Sequence, residues 1–237
     1  MSLHEQENEA RIIRSWQRNA DPWIAVLQAR RIESRWITDQ AIIDRILAHK
    51  PGSVLDIGCG EGWLLRELKQ TGINAVGVDA VPRLVEAARG AGSADVHCLT
   101  YADLARGALP GRFDAVVCNF SLLGEQSVDA LMAAMPSLLQ PGGVLIIQTV
   151  HPVMVYGDAP YQDGWRTGSW AGLAPEVIAD FADPPPWYFR TLSGWMRLMI
   201  QHGATIKSLS EPLHPVTGQP VSVLFVSGFD SNGTEKP

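Results

Sequence analysis

Residues Val54–Gly62 read V-L-D-I-G-C-G-E-G: a short apolar run ends in Gly58, Gly60 and Gly62, with Asp56 just inside it. Glycine lets the backbone pass close to a ligand, and a helix starting after the loop offers free N–H groups. Strand, glycine loop and helix together are the general form of a nucleotide site. The dinucleotide version, G-x-G-x-x-G, uses its third glycine to pack helix tightly on strand. Here Trp63 holds that position, and an indole would obstruct the packing. Asp56 would also stand beside a pyrophosphate and repel it. The loop suits a ligand with a cationic part near the strand end and no phosphates.

The elements that position this loop follow from the hydrophobic pattern. Residues 4–20 read as a helix, and Asp21-Pro22 as the cap and first position of a second helix ending near His49. Strands are expected at 53–57, 75–78, 96–99, 113–118, 144–150, 205–209 and 221–227. Helices are expected at 61–70, 82–89, 128–139 and 187–201, with Pro141-Gly142-Gly143 as a turn. Strands alternating with helices at this spacing predict an α/β fold: a doubly wound, mostly parallel seven-stranded sheet. Residues 1–50 form a helical N-terminal extension, 51–230 the sheet-bearing domain and 231–237 a tail. Residues 151–186, rich in Pro, Gly, Asp and aromatics, break the rhythm and read as an inserted lid.

Composition narrows the partners. The chain has 237 residues, 46% hydrophobic and 19% charged, with net charge −6. An acidic balance argues against nucleic acid. Arg11, Arg14, Arg18, Arg30, Arg31 and Arg35 gather near the N-terminus, but Glu5, Glu7, Glu9, Asp21 and Glu33 dilute them. No apolar run has the length of a membrane span and no signal-peptide pattern is present, so the expected compartment is the cytoplasm. Cys59, Cys98 and Cys118 are scattered and odd in number, which fits buried thiols in a reducing environment. No metal-ligand spacing occurs, and no metal is expected. The sequence sets no oligomeric state.

The glycine loop resembles the first motif of the class I S-adenosylmethionine (SAM)-dependent methyltransferases, and the likeness runs in order along residues 53–150 and more loosely to Phe229. SAM carries an ammonium, a sulfonium and an adenosine, matching the cationic ligand the loop suits. The resemblance places Asp56, Gly58, Cys59 and Gly60 around the cofactor. It gives Asp79, followed by Ala80, to the ribose hydroxyls, which a carboxylate accepts as a pair. Asp79 also reads as a strand-end turn residue. Thr100, Tyr101 and Ala102 would frame the adenine, with Asp103 capping the next turn. Asn119, Phe120 and Ser121, after the fourth strand, would stand at the methionine end. The expected products are S-adenosyl-L-homocysteine (SAH) and a methylated acceptor.

Other residues carry two readings each. Cys59 packs as a small hydrophobe or presents a thiol. Asp114 opens a strand and reads as structural. Arg35 is solvated or pairs with the SAM carboxylate. Tyr156, Trp165, Trp170, Trp187 and Tyr188 either bury a long loop or line an aromatic pocket for a small-molecule substrate at the sheet's carboxyl edge. His151, directly after the fifth strand, is a general base or a hydrogen-bonded anchor of the lid; His214 is a weaker candidate. Asp183-Pro-Pro-Pro-Trp187 reads as a rigid entry to the last helix. The function so implied is methyl transfer to a small molecule. The alternatives are a non-catalytic SAM-binding subunit and an NAD-dependent oxidoreductase, which Trp63 and Asp56 oppose.

Overall fold

The computed structural model describes residues 3–93, 95–170 and 173–229; the expected tail at 231–237 lies outside them. In chain order the elements are α1 (Leu3–Gln28), α2 (Arg35–Ala48), β1 (Ser53–Ile57), α3 (Trp63–Gln70), β2 (Asn74–Asp79), α4 (Pro82–Gly90), β3 (Val96–Cys98), α5 (Tyr101–Ala105) and β4 (Phe113–Asn119). They continue with α6 (Gln126–Leu138), β5 (Leu139–Thr149), α7 (Pro152–Val155), β6 (Gly164–Arg166), α8 (Pro175–Ile178), β7 (Trp187–Phe189), α9 (Leu192–Gln201), β8 (Ala204–Ser210) and β9 (Val223–Phe229).

Seven strands form one sheet in the order β3-β2-β1-β4-β5-β9-β8. The pairs among β1 to β5 are parallel, and β9 runs antiparallel to both its neighbours. Strand residues alternate faces, so the sheet has two cores. Val54, Ala115, Val117, Val144 and Ile146 pack with Ile42 and Ile46 of α2 and Leu64 and Leu68 of α3. Leu55, Ile57, Val116, Cys118, Leu145 and Ile147 pack with Leu131, Met132 and Met135 of α6 and Trp195 and Met199 of α9. Strand order reverses between β1 and β4, and ligands of such sheets sit outside the carboxyl ends at that point. Asp114 works at the opposite end: its Oδ2 accepts from the Gly52 and Ser53 amides (2.9 and 2.8 Å) and the Ser53 hydroxyl (2.9 Å).

Three local expectations are corrected. Asp21-Pro22 starts no helix; α1 runs straight through Pro22. Proline's φ fits a helix, at the cost of one backbone bond and a tighter turn. Packing of Ala20 and Ile24 against Val81 and Leu84 holds the turn together. The break falls instead between α1 and α2, where Arg30 takes φ 52°. Residues 187–189 are likewise strand, not helix: β7 pairs antiparallel with β6, and the Pro-rich run leads into that strand. Trp, Tyr and Phe favour strands, and Thr191 starts α9 by accepting the Gly194 amide at 2.9 Å. Finally, Pro141-Gly142-Gly143 lies within β5, where the β4–β5 register shifts between Phe113 and Ala115.

Candidate active site

The crevice between β1 and β4 gathers most of the residues singled out by the loop motif. Gly58, Gly60 and Gly62 take φ of 78°, 57° and 80°, a region costly for any side chain. A Cβ on Gly58 would run into Ser121, and one on Gly62 would stand 2.7 Å from the Ser93 hydroxyl. A Cβ on Gly60 would meet nothing within 4 Å. Gly58 and Gly62 are therefore fixed by packing, while Gly60 faces open space with bare backbone.

Asp79, at the end of β2, holds this loop in shape. Its Oδ2 accepts from the Gly60 amide and its Oδ1 from the Val81 amide, both at 2.9 Å. Each carboxylate oxygen has a further lone pair for a ligand hydroxyl. Burial pushes the Asp79 carboxyl up, and its bonds to backbone amides pull it partly back. Ala80 sits half-buried beside it.

Asp56 is buried and differently placed. Its Oδ1 has no hydrogen-bond partner. Loss of water, with the Asp79 charge adding to it, pushes its carboxyl up to about 7. Such a group calls for a cation or a donor at that spot. Cys59 turns inward instead: it packs with Leu65, Val85, Ala88 and Val96, its thiol donates to the Gly60 carbonyl at 3.8 Å, and burial pushes that thiol's pKa up.

Across the crevice, the Ser121 hydroxyl donates to the Ile57 carbonyl at 2.7 Å and ties β4 to β1. Phe120 takes φ 53°, unusual for a bulky residue, while its amide donates to Gln148 at 2.8 Å. The Asn119 Oδ1 is buried without a partner. The Tyr101 hydroxyl donates to the Ser121 carbonyl at 2.7 Å, and burial raises its pKa. Thr100 caps α5 reciprocally with Asp103, as expected of Asp103; Ala102 lies on that helix. Arg35 lies at the start of α2, its Nε 3.1 Å from Asp39 and its guanidinium 4.8 Å above the Trp63 ring.

The segment after β5 closes over a cavity of about 90 Å³ lined by Phe120, Leu123, Pro152, Trp187, Tyr188 and Arg190 among others. Of the five aromatics expected to line a pocket, Trp187 and Tyr188 do so. Trp165 sits behind, 5.6 Å from Tyr188, with its Nε1 donating to Glu125 at 3.0 Å. Tyr156 packs edge-on against Tyr161. Trp170 packs away from the cavity, on Trp16 of α1 and on Phe181. His151 is buried with its Nε2 at 2.6 Å from Glu211, and Nδ1 lacks a partner. Its neighbours Val150 and Pro152 line the cavity; His151 does not. His214 accepts two amides in its own exposed loop.

Sequence reasoning missed four residues. Glu9 of α1 caps α6, its Oε1 accepting from the Glu125 and Gln126 amides at 2.8 and 2.9 Å and its Oε2 from the Ser127 hydroxyl at 2.7 Å. Glu125 and Glu211 serve as the partners of Trp165 and His151. Arg190 is buried over the Tyr188 and Trp195 rings, 4.7 and 5.0 Å away. The first three partners come from distant sequence. Arg190 left one trace, a lone cation in the aromatic stretch W-Y-F-R. Among the described residues no cluster of His, Cys, Asp and Glu could hold a metal, and no helix is long and apolar enough to cross a membrane.

Comparison with known proteins gives the family and the fold. A family model described as a methyltransferase domain matches residues 29–198. A ubiquinone biosynthesis O-methyltransferase of Xanthomonas campestris pv. campestris is 36% identical over 107 residues, 43% of this chain and 44% of that protein. The chain thus aligns with less than half the length of this curated relative. Magnesium protoporphyrin IX methyltransferase (ChlM) from Synechocystis PCC 6803 with bound SAH superposes with TM-score 0.65 at 16% identity, covering 94% of this chain and 100% of that one. The DhpI-SAM-HEP complex gives TM-score 0.64 at 17% identity, covering 96% and 99%. A SAM-dependent methyltransferase from Mesorhizobium loti gives TM-score 0.55 at 23% identity, covering 74% and 90%. The chain has the Rossmann-like fold of SAM-dependent methyltransferases, and by its match over most of its length it belongs to the methyltransferase-domain family.

Proposed function

We propose that this chain is a SAM-dependent methyltransferase that transfers a methyl group to a small-molecule acceptor. One observation carries the reading: Asp56, buried at the end of β1 just before the glycine loop, has an unpartnered oxygen and a carboxyl raised to about 7. A pyrophosphate would add negative charge there; a cationic nucleoside would relieve it. In this reading Asp79 accepts from the ribose hydroxyls, Thr100, Tyr101 and Ala102 border the adenine, and Asn119, Phe120 and Ser121 border the methionine end. Arg35, already at the loop's edge, meets the carboxylate when it turns from Asp39.

When bound, the sulfonium supplies an activated methyl carbon open to in-line displacement. The chain's own task is alignment and exclusion of water. Holding the acceptor about 3–3.5 Å from the methyl can supply ~7–11 kcal/mol at best. The cavity beside Phe120 is the acceptor's place, and the segment after β5 acts as its lid. His151, held by Glu211 and outside the cavity wall, serves as a positioning residue.

The test is calorimetry with SAM, SAH, NAD and NADP, followed by methyl transfer from labelled SAM to a metabolite extract. We expect SAM and SAH to bind, the dinucleotides not to, and label to reach a small molecule. Binding of a dinucleotide alone would overturn the reading. SAM binding without label transfer would favour a SAM-binding subunit without catalysis.

A further inference from the structure

The cavity beside Phe120 has mostly apolar and aromatic walls, and Arg190 is the one charged residue in its lining. Arg190 is 5% exposed, and its Nη2 donates to the Glu125 carbonyl at 3.1 Å. Its Nη1 is buried with no partner. No carboxylate is in ion-pair contact with it among the described residues. Burial lowers the guanidinium's pKa; the charges of Asp163, Glu125 and Glu9 favour its charged form but are outweighed, and none of the three bonds Nη1. Glu125 accepts from the Trp165 indole, Asp163 accepts from the Thr191 amide and hydroxyl (both 2.8 Å), and Glu9 caps α6. Stacking on Tyr188 and Trp195 fixes the guanidinium plane without neutralising it. A buried charge left in this state is costly, so the cavity is built for something that completes it.

We infer that the small molecule bound in this cavity carries a carboxylate, which Arg190 holds through its free Nη1 while the apolar walls take the rest. This rests on the methyltransferase reading and names the substrate class within it. With Asp163, Glu125 and Glu9 already acting on it, the guanidinium can take one further negative charge at most. A phosphate dianion would leave a second charge buried and unmatched. A neutral carbonyl would accept from Nη1 but leave the guanidinium's charge as it stands, whereas a carboxylate does both. The rings of Trp187 and Tyr188 suit a flat or short apolar body.

The experiment uses the full chain saturated with SAH. Calorimetry compares acetate, butyrate and benzoate with acetamide, butyramide and benzamide, and with methylphosphonate. The same series is run on Arg190→Met and Arg190→Lys. We expect at least one carboxylate to bind wild type about 30-fold or more tightly than its amide, a ratio in keeping with a buried charge-assisted bond. Arg190→Met should erase the ratio, and Arg190→Lys should keep part of it. The inference is overturned if no carboxylate is preferred over its amide, if methylphosphonate is preferred over every carboxylate, or if Arg190→Met keeps the preference. Should Arg190→Met fail to fold, the wild-type ratio and Arg190→Lys still decide. SAH binding is measured first, so failure of the cofactor reading is seen separately from failure of the carboxylate preference.

Discussion

Replacing Asp56 with asparagine keeps the side chain's shape and removes its ionisation. In the empty protein the Asp56 carboxyl is raised from 3.8 to about 7, so the folded state holds a proton that the unfolded chain gives up near pH 4. Stability from this group is therefore full below pH 4 and is lost as pH rises through 7. By linkage, unfolding free energy falls by about 2 kcal/mol between pH 5.5 and 8 on this account alone. The full cost of the ionised form is about 4 kcal/mol, from a shift of about 3 units at 1.36 kcal/mol each. A cation placed against Asp56 pulls its pKa down, so cofactor binding releases the proton. SAM affinity should then rise about 30-fold from pH 5.5 to 8, following the ionised fraction of a group with pKa near 7. Calorimetry of SAM and urea melts at several pH values are run on wild type and Asp56→Asn. The difference between the two removes Asp79 and the histidines from the comparison. Asp56→Asn should bind SAM weakly at every pH and show a flatter stability profile. The reasoning is refuted if Asp56→Asn keeps wild-type affinity, or if wild-type affinity is flat or falls across this range.

The remaining predictions separate shape from chemistry. Gly58→Ala drives a methyl into Ser121 and should cost about 2–4 kcal/mol in urea melts, from overpacking and left-handed strain together. Gly60→Ala meets no protein atom, so it should cost only about 1–2 kcal/mol of stability while weakening SAH binding in calorimetry far more than that loss suggests. Glu9→Ala strips the cap from α6 and should lower stability by about 1–2 kcal/mol, read by urea denaturation. His151→Gln keeps a donor for Glu211 and should retain kcat within about tenfold of wild type, whereas a general base lost should cost 10²–10⁴-fold; a drop in that range, with its pH dependence abolished, would make His151 the base.

The sheet was legible because its signals are local. Apolar runs and the glycine loop act within a few residues, and Asp79 was read from its strand end, at a fixed distance past that loop. Asp114 and Asp103 were read correctly for the same reason, since their partners are close in sequence or fixed by strand order. Pro22 misled because a proline at a helix start and one tolerated inside a packed helix look alike locally; Val81 and Leu84, some sixty residues on, decide between them. Trp187–Phe189 misled because an apolar triplet before a helix has no period of its own, and only β6 makes it a strand. The partners Glu9, Glu125 and Glu211 could not be read at all. A carboxylate that caps a helix more than a hundred residues away carries the same sequence signature as one in water.

The clasp between α1 and the stretch near Ala182 bears on how the segment after β5 is held. Asn19 donates to the Ala182 carbonyl at 2.6 Å and accepts its amide at 2.8 Å, and the Ser15 hydroxyl donates to the Asp183 carbonyl. Three such bonds, each worth about 1 kcal/mol net, join the Arg18–Asp183 ion pair in fastening this stretch to α1. The same helix is pinned at two further places, by Glu9 on α6 and by Ala20 and Ile24 against Val81 and Leu84. One helix thus fastens both the entry to α6 and the far end of the segment after β5, so a change in α1 is felt at both.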